Sequence, residues 1–169
     1  MKATSSAYWL SILVYGVTAC VLGPYSLNGI SAALLVVLVA GALLPPSCGF
    51  LSVAAYLAAG LFLPVYANHA SGLGTLLGSY GGYLFALLLC PLAISFFVRY
   101  LKKDYLLSVL IGFGAAMLLY FAFGMVWYTV STGKNIAAVM QSQVTPCILF
   151  LMDALAAFLI SARLHKGKR

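Results

Sequence analysis

The chain alternates long apolar blocks with short polar breaks, and the blocks approach membrane-crossing length. A spanning helix takes about 20 mainly apolar residues. Six stretches come close: roughly 7-23, 28-44, 47-65, 80-98, 105-128 and 144-162. The breaks between them fall at Gly23-Pro24, Pro45-Pro46, Pro64, the cluster from Arg99 to Asp104, and the polar run from Ser131 to Asn135. Two consecutive prolines remove two backbone donors and push the preceding residue out of the helical region. The second and third blocks therefore read as a tight helical hairpin rather than one broken helix. The first run is followed by Gly23-Pro24-Tyr25 and not by a small-x-small cleavage pattern, so a retained first span is expected, not a signal peptide. The pattern predicts an all-α integral membrane protein of six transmembrane helices, forming a single domain over 1-169.

Composition sharpens this and closes off soluble alternatives. Hydrophobic residues make up 64% of the 169 and charged residues 7%, with a mean hydropathy of +1.11. The few charges decide orientation. With the N-terminus in the cytoplasm, Lys2, Arg99, Lys102, Lys103, Arg163, Lys166, Lys168 and Arg169 all fall inside, and Lys134 alone falls outside. The net charge of +7 is thus first a topology signal, with both termini expected in the cytoplasm. The basic tail is expected on anionic lipid headgroups. No segment offers a basic face with aromatic platforms, so nucleic acid is not an expected partner. Cys20, Cys48, Cys90 and Cys147 are widely separated and read as apolar packing residues, and no metal or cofactor is expected.

One stretch fits neither a lipid-facing helix nor a simple turn. From Leu63 to Leu84 the chain passes Pro64, Asn68, His69 and Ser71 and carries Gly72, Gly74, Gly78, Gly81 and Gly82. Glycine lets a main chain approach a ligand closely; a flexible re-entrant or surface loop is the plain alternative. Near the same outer face lie Tyr25, Asn28, Tyr66, Asn68, Tyr80, Tyr83, Trp127 and Tyr128, each readable also as interfacial belt or packing. Asp153 is the sole carboxylate predicted within a span, because Asp104 sits beside Lys102 and Lys103 at the inner face. A charge at mid-helix costs about 2.5 to 3.5 kcal/mol on the insertion scale and is usually buried and functional. An interhelical hydrogen bond to tyrosine or serine is the structural alternative.

The run Tyr56-Leu57, Gly60, Leu63-Pro64-Val65-Tyr66-Ala67, then Gly78-Ser79-Tyr80-Gly81-Gly82-Tyr83-Leu84, resembles the BioY family, the biotin-capturing S components of energy-coupling factor (ECF) transporters. That family carries Y-L-x-x-G-x-x-G-L-P-V-F-A-G-G, a glycine-rich loop, and G-P-T-G-G-Y-L. Upstream, Ala40-Gly41-Ala42-Leu43-Leu44-Pro45-Pro46 resembles its A-G-x-L-L-G-P. The specific likeness covers about a third of the chain. Three departures stand out: Ser31-Ala32-Ala33 occupies the family's T-L-Q, Gly78-Ser79-Tyr80 its G-P-T, and Asp153-Ala154-Leu155-Ala156 its D-x-x-K, so the acid is kept and the lysine lost.

The resemblance implies an S-component bundle in a bacterial plasma membrane that takes up biotin, is not itself an enzyme, and works with a transmembrane T component and two cytoplasmic ATPases. No G-x-x-x-x-G-K-[ST] phosphate loop exists in the chain. The implied ligand-binding set is Asp153, Tyr83, Asn68, Tyr66, Tyr80, Gly81, Gly82 and Ser31, with Asp153 accepting from the ureido N–H groups. Lys134, or the free amides opening the fourth helix after Gly78, stand as partners for the ligand carboxylate. The resemblance also implies a small-residue docking face for the T component on the first helix, and Ser5, Ala7, Ser11 and Gly16 lie near that end, with Ala7 and Ser11 at small-x-x-x-small spacing. Another small vitamin, a non-catalytic membrane scaffold or pore, and an intramembrane enzyme are the alternatives. The last would need a clustered catalytic set that two acids and two histidines scarcely supply.

Overall fold

The structure, a computed structural model, describes residues 5–27, 30–101, 104–142 and 144–166. Among the described residues eight α-helices follow one another: α1 (Ser5–Leu22), α2 (Ala32–Leu43), α3 (Pro46–Ala59), α4 (Leu73–Leu76), α5 (Gly81–Tyr100), α6 (Tyr105–Thr132), α7 (Ile136–Ser142) and α8 (Val144–Lys166). Between α1 and α2 the strands β1 (Ser26–Leu27) and β2 (Ile30–Ser31) pair antiparallel. Helices Gly81–Tyr100, Tyr105–Thr132 and Thr145–Leu164 are long and apolar enough to cross a membrane, and three shorter apolar helices accompany them.

Two sequence-derived boundaries differ from the structure. The second helix begins at Ala32, not near residue 28, because the β1–β2 ladder takes up the backbone groups before it. The third ends at Ala59 instead of running to 65. Leu63 N–H still reaches back to Ala59 O at 2.8 Å, but from Pro64 onward the chain has turned away. Hydropathy could not separate these apolar non-helical residues from the helices they adjoin.

Helix α2 is the axis of the bundle. Nine of its twelve residues are buried, as expected of a helix that is apolar all round. It packs against α1, α3, α5, α6 and α8. Small residues bring its neighbours close. A Cβ on Gly41 would stand 2.9 Å from the Ile94 side chain, one on Gly49 2.8 Å from Pro91, and one on Gly112 3.0 Å from the Ile94 backbone, so α2, α3 and α6 converge on the middle of α5. On the other side Ser52 of α3 donates to Ile12 O of α1 at 3.3 Å and to its own Cys48 O at 2.8 Å.

The predicted proline hairpin is present, and its cost is met from outside. Pro45 and Pro46 have no N–H to give to Gly41 O and Ala42 O, the acceptors one turn earlier. Ser95 Oγ donates to Gly41 O at 2.8 Å and lies 3.1 Å from Leu44 O. The Tyr105 hydroxyl donates to Ala42 O at 3.3 Å. The end of α2 is thus capped by side chains from α5 and α6. The cysteines are unpaired, with Cys48 and Cys90 buried. No metal-ligating cluster occurs among the described residues.

Candidate functional site

The stretch between α3 and α5 folds back on the bundle instead of splaying away from it. Gly72 N–H donates to Gly60 O at 2.8 Å and Tyr66 N–H to Ala70 O at 3.1 Å, closing a compact lobe. Two buried tyrosines pin it down: Tyr66 Oη donates to Leu57 O at 2.7 Å and Tyr56 Oη to Val65 O at 3.3 Å, their rings meeting edge to face. Burial, then the Cys20 thiol, holds the Tyr66 phenol above the ordinary tyrosine range, so it stays a neutral donor. Tyr66 is therefore committed to holding the loop. Asn68 and His69 follow it with φ of 59° each, left-handed and exposed, and His69 lies edge-on to Tyr25.

Two glycines here make room for rings and one for a carbonyl, while Gly72 and Gly74 face open space. A side chain on Gly60 would collide with the Tyr66 ring, one on Gly82 with Trp127, and one on Gly81 with Leu76 O. Trp127 Nε1–H donates to Gly78 O at 3.0 Å, tying α6 to the turn before α5. The amides of Gly81 and Tyr83 are also engaged, by Gly78 O and Tyr80 O at 2.9 and 3.1 Å. That removes two of the donors expected to offer an anion site at the start of α5.

Beside this seam runs a ladder of tyrosines. Tyr128 meets Tyr80 with centroids 5.4 Å apart, Tyr80 meets Tyr83 at 6.5 Å, and Tyr83 meets Tyr120 at 5.2 Å. Its outer rung is accessible, Tyr80 being 64% exposed, while Tyr83 is 9% exposed, with its ring seated on Gly124. Tyr83 Oη is buried and finds no hydrogen-bond partner among the described residues. Tyr120 continues inward to Phe150 and Phe121. Asp153, one turn after Phe150 on α8, is 1% exposed and lies within electrostatic reach of the Tyr120 hydroxyl, as do Tyr83, Cys90 and Tyr56. Beyond the ladder's outer end, Lys134 Nζ sits 5.8 Å from the centre of the Tyr128 ring.

Of the residues singled out from sequence, Tyr80, Tyr83 and Asp153 share this ladder. Gly81 and Gly82 lie at its edge under Trp127. Tyr66 and Asn68 belong to the separate lobe. Ser31 pairs with Ser26 in the β1–β2 ladder, which neighbours α8, but its side chain lies outside the described part of the structure, as does Asn28 altogether. Tyr120, Phe121 and Phe150 were not singled out by sequence reasoning. A signal existed: Phe150 precedes Asp153 by three positions, and Tyr120, Gly124 and Trp127 fall on one helical face. A cavity of about 190 Å³ between α6 and α8 is lined by Phe113, Met117, Phe150, Ala154 and other apolar groups, and Asp153 is not among its lining residues.

The model of the BioY family matches residues 4–169. The chain belongs to the BioY family. Within it, the chain is 43% identical over 67 residues to the biotin transporter BioY of Lactococcus lactis subsp. cremoris (strain MG1363). That stretch covers 39% of this chain and 35% of the curated relative, about a third of its length. Among solved structures, the S-component for biotin from an ECF-type ABC transporter is similar at a TM-score of 0.80 and 26% identity, over 97% of this chain and 95% of that one. This BioY chain is accordingly an all-α integral membrane protein with the S-component bundle. Its three long apolar helices and its family agree on a membrane location.

Proposed function

We propose that this BioY chain captures biotin at the outer face of a bacterial plasma membrane and delivers it inward as the substrate-specific S component of an ECF-type transporter. The observation that carries this is the likeness of nearly the whole chain to a biotin S-component, joined to family membership over residues 4–169. The chain forms one transmembrane domain over 1-169 with both termini cytoplasmic, an orientation favoured by the eight inner cations against Lys134. Energy comes from partners, a membrane T component and cytoplasmic ATPases, since no phosphate loop exists here.

Within the site the residues divide by chemistry. Biotin has two ureido N–H donors, a ureido carbonyl, an apolar thioether ring and a valerate carboxylate. Asp153 supplies a buried acceptor for the N–H pair, Tyr83 Oη a buried donor without a partner among the described residues, and the rings of Tyr80, Tyr83 and Tyr120 an apolar wall. Pockets of this kind pair mostly apolar walls with a few placed polar groups. Asn68, Gly81, Gly82 and Ser31 rim the same end of the bundle, and Tyr66 holds the rim in place.

The deciding experiment is thermal unfolding of the detergent-purified protein with biotin, with desthiobiotin, and with an unrelated vitamin. Biotin should raise the midpoint and the unrelated vitamin should leave it unmoved. A midpoint that no vitamin moves would point to a scaffold.

A further inference from the structure

Among the described residues, the cations are unevenly placed relative to the tyrosine ladder. Arg99 lies in the last turn of α5, about 27 Å of helix from Gly81 at a rise of about 1.5 Å per residue, and Arg163 lies near the end of α8, toward that same far end. Lys134 follows α6 directly, at the end that carries Tyr128, Tyr80 and Tyr83. Neither acid of the chain competes for it: Asp104 opens α6 at the opposite end, and Asp153 is buried in α8. Its ammonium rests on the Tyr128 ring, a contact that orients a flexible side chain without neutralising it.

Three polar groups then mark one path along the ladder. An exposed cation stands at the outside, a buried phenol with no partner among the described residues in the middle, and a buried acid at the inner end. A buried hydroxyl left without a partner is costly, and among the described residues Tyr83 Oη has none. The sequence of groups matches a ligand with an anionic tail, an apolar body and a hydrogen-bond-donating head. The first-turn amides of α5, the other source of anion binding at this end, are engaged at Gly81 and Tyr83 by their own turn.

We infer that Lys134, seated over Tyr128 at the mouth of the tyrosine ladder, is the cation that receives the ligand's carboxylate, and that it makes the site select an acid over its neutral amide. This rests on the biotin capture proposed above. The ammonium donates to a carboxylate oxygen in a charge-assisted hydrogen bond while Tyr128 holds the lysine stem from beneath.

The test compares equilibrium binding of biotin and biotinamide, in which a carboxamide replaces the carboxylate, to the wild type, Lys134→Gln and Lys134→Arg in detergent. The wild type should prefer biotin by about tenfold, the size of a charge-assisted contact at a part-exposed site. Lys134→Gln should bring biotin down to the level of biotinamide and leave biotinamide unchanged. Lys134→Arg should restore most of the preference, and added salt should weaken it. A Lys134→Gln protein that keeps the wild-type preference overturns the assignment and leaves biotin capture standing. A wild type that binds neither compound overturns both.

Discussion

The Ser95 hydroxyl donates to the carbonyl oxygen of Gly41 at 2.8 Å, across the interface between α5 and α2. It supplies the bond that Pro45 cannot, so the proline pair that turns the chain is tolerated only because a serine fifty residues later faces the freed carbonyl. The tight hairpin and the packing of α5 against α2 are one structural decision.

Removing that donor should therefore be felt. Ser95→Ala leaves Gly41 O buried without its partner and should destabilise the protein by about 1 to 3 kcal/mol. Tyr105→Phe, which loses the longer 3.3 Å bond to Ala42 O, should cost less. Thermal unfolding in detergent checks both, and an unchanged midpoint for Ser95→Ala would contradict the capping role.

Gly124 carries the Tyr83 ring on its bare backbone. Gly124→Ala should destabilise by about 1 to 3 kcal/mol, the usual cost of overpacking. Combining it with Tyr83→Leu should recover part of that loss, because the smaller side chain vacates the collision. A double-mutant cycle with additive effects would mean the two positions do not meet.

Tyr83 separates stability from binding. Its hydroxyl is buried without a described partner, so Tyr83→Phe should leave the ligand-free unfolding midpoint equal to or above that of the wild type. Affinity for biotin should fall by about fivefold as a neutral hydrogen bond is lost. A lowered midpoint without ligand would mean that the hydroxyl serves the fold.

Asp153→Asn should weaken biotin binding by about 30-fold, which corresponds to about 2 kcal/mol for a hydrogen bond to a charged group. The ligand-free fold should persist, because the amide keeps the volume. Isothermal titration measures the affinity and the unfolding midpoint serves as its control. Retention of wild-type affinity would remove Asp153 from the site.

Tyr66→Phe breaks the 2.7 Å bond to Leu57 O. It should loosen the lobe from 63 to 72, at a cost of about 1 kcal/mol, and change biotin affinity only slightly. Faster hydrogen exchange at the Gly72 amide, bonded to Gly60 O, would report the loosening.

Much of this protein was legible along the chain. Hydropathy and the breaks at Pro45-Pro46 and Ser131 to Asn135 identified six apolar helices, and the scarcity of acids drew attention to Asp153, because the membrane imposes a penalty residue by residue that a linear pattern records. The partners of individual side chains were set by the assembled bundle. The glycines from 72 to 82 suggested close approach of a ligand, yet Gly82 receives Trp127, and Gly60 ahead of them receives Tyr66. Tyr66 and Tyr83 both stood in the implied ligand set, but one hydroxyl is held by Leu57 O and the other has no described partner. Tyr120 and Phe150 gained their meaning only when α6 and α8 met near Asp153. Burial of apolar area is a property each segment carries by itself, whereas the use of a hydroxyl or a bare glycine depends on which distant helix arrives opposite it.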